Sequence, residues 1–223
     1  GGLLTTIEFD NNNLVGTLPP EIGLLTGLTQ FSIKGDPALN RRLSVGSRRD
    51  QFVNPGLSGG IPSEIGELVL LEGLVLTNHE MTEPLPTEIG HLSILTSFNL
   101  NNNGIPGHIP AEIGNLAQVG NFNLAQNNFD GSIPTTVGQL LNCAQFNVGQ
   151  NLLSGEIPTE IGNMVSLKGL YLNNNDLRGN IPSEIGNLVN IKGGLDFSNN
   201  GLTGNIPVGI GNMPGIKSFR VAG

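Results

Sequence analysis

Tryptophan is absent from this 223-residue chain, tyrosine occurs once, and aromatic residues make up only 4% of the total. Protein-binding hot spots are rich in Trp, Tyr and Arg, so a broad, tight, aromatic-anchored interface is not expected. Cysteine also occurs once, at Cys143, which excludes an intramolecular disulfide and leaves the redox compartment unmarked. Charged residues are scarce at 13%, with 10 Lys and Arg against 18 Asp and Glu. That acidic balance argues against a phosphate-tracking surface and against nucleic acid as a partner. No run of 18 apolar residues is present, so no membrane-spanning helix is expected in this stretch. The opening Gly1-Gly2-Leu3 is neither a start methionine nor a signal peptide, and any targeting segment is expected to lie elsewhere.

Glycine and proline are abundant instead, at 33 and 14, and Asn numbers 29, so these three types supply 76 of the 223 residues. A helical bundle is excluded by that composition. A hydrophobic fraction of 37% still argues for a packed core rather than a disordered polar tract.

The arrangement is periodic. The proline of a recurring Pro-x-Glu-Ile-Gly unit falls at Pro19, Pro62, Pro86, Pro110, Pro134, Pro158, Pro182 and Pro207, with spacings of 43, 24, 24, 24, 24, 24 and 25. The first spacing holds one period plus 19 extra residues, and the last holds one extra residue near Gly193-Gly194. About a dozen residues before each proline sits an apolar-x-apolar pair, from Ile7/Phe9 and Phe31/Ile33 through Phe98/Leu100 and Phe122/Leu124 to Phe219/Val221. Such short alternation reads as a half-buried strand. About nine strands, one per turn, must pair in parallel at roughly 4.8 Å, because no single unit can bury its own apolar face. The expected architecture is a repeat solenoid.

Three residues after each pair comes a column of amides: Asn12, Asn103, Asn127, Asn151, Asn175 and Asn200. Asn both donates and accepts, so a stacked ladder can satisfy the backbone groups left unpaired where each strand ends. Asp36 and His79 depart from the column on either side of the 19-residue insertion, and a weak seam is expected there.

The unit Leu92-x-x-Leu95-x-x-Phe98-x-Leu100-x-x-Asn103, followed by Gly107-x-Ile109-Pro110-x-Glu112-Ile113-Gly114, resembles the plant-type leucine-rich repeat of extracellular receptor and inhibitor proteins. The resemblance covers nearly the whole chain outside about residues 37–56. It implies an α/β repeat solenoid: a right-handed superhelix with a concave parallel β-sheet, convex 3₁₀ turns, and a second short sheet from the Leu-x-Gly-x-Ile-Pro segments. It also implies one domain over 1–223, with 37–56 as a basic insertion loop, and an extracellular setting. Members usually carry cysteine-paired caps, which this sequence lacks, so end-to-end self-association is one expectation for its uncovered ends.

Alternation along each strand places one set of side chains on the concave face. Among them Asn99, Asn101, Asn123, Asn147, Tyr171 and Asn173 are the candidate ligand-binding residues, an amide-rich surface suited to protein or carbohydrate. The insertion supplies Arg41, Arg42, Arg48 and Arg49, four of the ten basic residues, and guanidinium groups there are candidates for carboxylate, sulfate or phosphate.

Catalytic chemistry has no residues to rest on. His79, His91 and His108 fall in three different registers, and Cys143 occupies a core register beside Leu95, Val119 and Leu167. Glu64, Glu88 and Glu112 form an acidic convex column. One carboxylate per turn rarely supplies the six oxygens that Ca²⁺ requires, so no metal or cofactor is expected. The leading expectation is a non-enzymatic extracellular recognition or adhesion module such as a receptor ectodomain. An enzyme inhibitor similar to polygalacturonase inhibitors is the alternative, and an ice- or matrix-binding surface along Asn99, Asn123 and Asn147 is the third.

Overall fold

A computed structural model of the chain describes residues 3–10, 14–35 and 56–222. Nine strands form one parallel sheet in chain order: Thr6–Asp10, Gln30–Lys34, Gly73–Thr77, Ser97–Asn99, Asn121–Asn123, Gln145–Asn147, Gly169–Tyr171, Gly194–Asp196 and Ser218–Arg220. Corresponding residues of successive units face one another, as in Phe98 against Phe122 and Phe146 against Leu170. The apolar pairs point inward and the residues between them outward, as alternation requires. Insertion of 19 residues does not break the sheet, because Gln30–Lys34 pairs with Gly73–Thr77 over all five residues.

Each of the first eight strands is followed, across the core, by a 3₁₀ turn, as in Thr87–His91, Ala111–Asn115 and Thr159–Asn163. The proline before each turn sits where its ring already fixes the backbone, for example Pro110 at φ −66°. Its carbonyl accepts the first turn bond, Ile113 N–H to Pro110 at 3.2 Å. The Ile then plugs the core while the adjacent Glu stays at the surface. On the flank between sheet and turn, the Leu-x-Gly segments pair as three patches rather than one continuous sheet. These are Ser58–Gly59 with Glu80–Met81, Pro106–His108 with Asn128–Asp130, and the trio Ser154–Glu156, Asp176–Asn180 and Gly201–Thr203.

The interior is one apolar cluster running from Leu18 to Met213. Phenylalanines form its spine: Phe122 stacks on Phe146 with ring centres 5.0 Å apart and meets Phe98 edge-on at 5.4 Å. Cys143 is fully buried in this core, its thiol donating to the Gln145 carbonyl, and burial pushes its pKa up to about 12. It is a small apolar filler rather than a nucleophile.

The amide ladder closes the turns. Asn127 accepts from Ile105 N–H through Oδ1 at 3.2 Å, and its Nδ2 donates to Leu100 O in the preceding turn at 2.9 Å and to Leu124 O in its own at 3.1 Å. Asn151, Asn175 and Asn200 repeat the pattern. Among the described residues no buried side-chain nitrogen or oxygen lacks a partner. Asn12 and Asp36 lie outside the described residues.

Glycine in Ile-Gly is explained by approach rather than by dihedral angle. A methyl group at Gly138 would stand 2.6 Å from the Glu160 carbonyl oxygen and 2.8 Å from its Cβ, closer than real contacts allow. Gly23, Gly66, Gly90 and Gly162 meet the Glu of the next turn in the same way. The 3₁₀ turns therefore stack at van der Waals contact only because that position has no side chain.

Two outcomes follow for unfolding measured by urea titration. Gly138→Ala is expected to cost about 1 to 3 kcal/mol by forcing two turns apart. Asn127→Ala, which orphans a buried N–H and its carbonyl partners, is expected to cost about 2 to 4 kcal/mol.

Candidate functional site

The outward face of the sheet carries the sequence-selected amides on neighbouring strands. Asn99, Asn123, Asn147 and Tyr171 occupy one row, in register Asn99–Asn123, Asn123–Asn147 and Asn147–Tyr171, and Asp196 continues it. The row is half-buried, and its three asparagines share one conformation that the spacing did not reveal. Each Oδ1 accepts from the backbone N–H two residues on: Asn99 from Asn101, Asn123 from Ala125 and Asn147 from Gly149, all at 3.1 Å. These amides finish the strand ends, a local side-chain to backbone pattern. Their Oδ1 atoms are held and their NH₂ groups are left as three donors at roughly the 4.8 Å strand spacing.

Asn101 and Asn173 lie in the next row toward the strand end. Asn101 Nδ2 donates to Gln126 Oε1 at 3.1 Å, part of an amide chain along the rim that continues from Gln126 to Gln150. The Asn173 side chain covers Gly149, where a methyl would stand 2.7 Å from its Oδ1. Tyr171 leans across a glycine shelf: methyls at Gly169 and Gly193 would be 3.0 and 3.6 Å from its hydroxyl oxygen. At the two ends of the sheet charges pair, Lys34 with Asp10 at 2.8 Å and Arg220 with Asp196 at 3.3 Å. Arg41, Arg42, Arg48 and Arg49 lie outside the described residues, so their relation to this face is not part of the geometry.

His79 stands in the amide ladder and does the work of an asparagine. Its ring is buried. Nδ1 accepts from Leu57 N–H at 3.3 Å, which requires the proton on Nε2, and Nε2–H donates to Ile33 O at 3.0 Å. One donor and one acceptor thus bridge the turns on either side of the insertion, where a weak seam was expected. Burial lowers the pKa of His79 below its ordinary value, against a smaller raising effect of the Ile33 carbonyl. The other histidines are remote from it in role: His91 ends a 3₁₀ turn and His108 pairs with Asp130 on the flank.

The acidic convex column is held by its neighbours. Glu64, Glu88, Glu160 and Glu184 each accept from the preceding Ser or Thr hydroxyl at 3.1 to 3.3 Å. Among the described residues no three His, Cys, Asp or Glu side chains come together in a metal-holding group. No helix among them is long and apolar enough to cross a membrane.

Sequence reasoning passed over one set of surface residues. Lys168, Lys192 and Lys217 recur 24 and 25 residues apart just ahead of three successive strands, a spacing visible in the sequence itself.

Comparison with known proteins agrees with this geometry. The leucine-rich-repeat family model matches residues 3–25, 95–116, 166–188 and 194–213. No curated protein sequence matches the chain. Among solved structures, the ectodomain of the plant membrane receptor kinase GASSHO1/SCHENGEN3 from Arabidopsis thaliana, in complex with CASPARIAN STRIP INTEGRITY FACTOR 2, is similar at TM-score 0.79 and 29% identity. That match covers 96% of this chain and 26% of the ectodomain. The plant peptide hormone receptor RGFR1 in complex with RGF2 is similar at 0.71 and 25%, over 98% of this chain and 39% of that one. A plant ice-binding protein is similar at 0.65 and 28%, over 74% of this chain and 53% of that one. The chain thus spans about a quarter to a half of the length of these proteins. Four stretches of the chain thus carry leucine-rich repeats, and its parallel sheet and 3₁₀ turns resemble those of plant leucine-rich-repeat ectodomains.

Because neutral His79 is the folded form, its contribution to stability is complete above its unfolded pKa of about 6.5 and is lost as pH falls toward the lower folded value. The melting temperature is expected to drop between about pH 7 and pH 5, and His79→Asn, which keeps a donor and an acceptor, is expected to flatten that dependence. Thermal scans of both proteins across this range provide the check.

Proposed function

We propose that this chain is a non-enzymatic, extracellular recognition module that binds an extended, acceptor-rich ligand, foremost a peptide, along the outward face of its sheet. The observation that carries this reading is the row Asn99, Asn123 and Asn147. Each amide is fixed by its own backbone, so its NH₂ group is preorganised toward solvent and loses little freedom on binding. Peptide carbonyls and carboxylates are complementary to such donors. Tyr171 at one end of the row supplies the face's single tyrosine anchor. Support also comes from the similar receptor ectodomains, whose solved complexes hold a peptide hormone or an integrity factor.

A second reading, ice binding, draws on the similar plant ice-binding protein and on the regularity of the same row. Val75 and Tyr171 bound the row, leaving three rungs, which is a small patch for a crystal surface.

Replacing all three asparagines by Asp keeps the Oδ1 acceptor for the backbone and turns each outward donor into a negative oxygen. Peptides selected on the native chain from a displayed library of extended dodecamers are expected to bind the triple variant at least about tenfold more weakly, since each lost donor is worth about 1 kcal/mol. Unchanged affinity contradicts the reading. Thermal hysteresis by the native chain, abolished in the variant, would favour the ice surface instead.

A further inference from the structure

Charge is distributed unevenly along the solenoid. Residues 57–163 contain ten acidic side chains and no Lys or Arg, whereas residues 164–222 carry five basic against three acidic. Within that last part, Lys168, Lys192 and Lys217 hold the position just ahead of the sheet in three successive turns, and all three are exposed. Their backbones are rungs of one ladder: Lys192 and Gly193 N–H both reach Lys168 O, at 3.2 and 2.8 Å, and Lys217 N–H reaches Gly193 O at 2.9 Å. Lys168 and Lys192 thus sit on adjacent rungs at roughly the 4.8 Å strand spacing, while the extra residue at Gly193-Gly194 sets Lys217 opposite Gly193, one residue out of line with Lys192. Like charges on adjacent rungs are destabilising. Among the described residues none of the three enters an ion pair, although the chain as a whole carries a net charge of −8. Fold stability does not account for this column.

Its surroundings indicate what it binds. Lys168 and Lys192 line an open groove of about 290 Å³ together with Asn142, Ala144, Ser166 and Asn190. Asn142 Nδ2 donates to Ala117 O and Asn190 Nδ2 to Val165 O, both at 2.8 Å, which leaves each Oδ1 as an acceptor beside the ammonium groups. The Lys192 stem crosses Gly215 in the next turn, where a methyl would stand 3.3 Å from its Cγ, so the glycine makes room for it. Tyr171, leaning across Gly169 toward Gly193, adds a flat ring at the inner margin of the same edge. Cations for carboxylates, amide oxygens for hydroxyls and one ring face together describe an acidic sugar chain. An extended acidic peptide fits less well, because it brings no ring hydroxyls to the Asn142 and Asn190 oxygens.

We infer that the Lys168–Lys192–Lys217 edge binds a linear polyuronate through its carboxylates, with Asn142 and Asn190 receiving ring hydroxyls. This surface is distinct from the amide row, and its occupancy does not depend on a peptide lying there.

The test uses the full chain and sodium polymannuronate at low ionic strength, with neutral dextran, dextran sulfate and poly-glutamate as comparison polymers. Polymannuronate is expected to bind the native chain, dextran not to bind, and poly-glutamate and dextran sulfate to bind more weakly. Changing Lys168, Lys192 and Lys217 together to Ser is expected to weaken polymannuronate binding about tenfold, in keeping with three exposed charge contacts, without altering the melting temperature by more than a few degrees. Arg178→Ser, which removes a positive charge from the flank, is expected to leave binding unchanged. Equal binding by the native chain and the lysine variant overturns the inference, as does binding that disappears only when Arg41, Arg42, Arg48 and Arg49 are changed to Ser. Poly-glutamate binding at least as tightly as polymannuronate overturns it in favour of an acidic peptide, and dextran sulfate doing so reduces the edge to an unspecific anion patch.

Discussion

A turn of this chain is too thin to bury its own backbone ends, and the hydrogen bonds of one buried amide per turn are what let the next turn seal them. Asn127, Asn151 and Asn175 each tie their own strand end to the one before, donating across the joint and accepting back from it. An unpaired buried N–H or carbonyl is costly, so the ladder is a condition for stacking the apolar units rather than an addition to it. Once turns are locked at that spacing, the phenylalanine spine packs ring on ring and the 3₁₀ turns close up over glycine. The cooperativity of a solenoid resides in these neighbour contacts.

The same spacing makes the surface. Any residue type recurring every 24 positions becomes a straight row, whether the donors of Asn99, Asn123 and Asn147, the carboxylates of Glu64 and Glu88, or the ammonium groups of Lys168 and Lys192. Function in such a fold lies in which rows are left without internal partners. The Glu row is answered by adjacent hydroxyls, whereas the Asn donors and the Lys row face outward unanswered.

Much of this is legible in the sequence. Pro-x-Glu-Ile-Gly fixes the period, Phe98/Leu100 and its counterparts fix the strands and their inward faces, and Asn103 to Asn200 mark the ladder, because period and alternation are properties of the chain itself. What was hidden depends on three-dimensional direction. Nothing in spacing tells that Asn123 turns its oxygen back to Ala125 N–H, or that an imidazole at His79 reaches the N–H and the preceding-turn carbonyl that an asparagine would have reached. The lysine column is in the sequence at intervals of 24 and 25, but its meaning required the groove beside it and the absence of acidic partners. The arginine-bearing insertion breaks the period, and period is what made the rest readable.

Native-state hydrogen exchange on the ladder amides measures the central claim most directly. Ile105, Phe129, Leu153 and Leu177 N–H groups, which donate to asparagine side chains rather than to backbone carbonyls, are expected to exchange only through the same large opening as the strand amides of Phe122 and Phe146. Fast, independent exchange of those four, with the strands still protected, would show that the turns hold together without the amide seam.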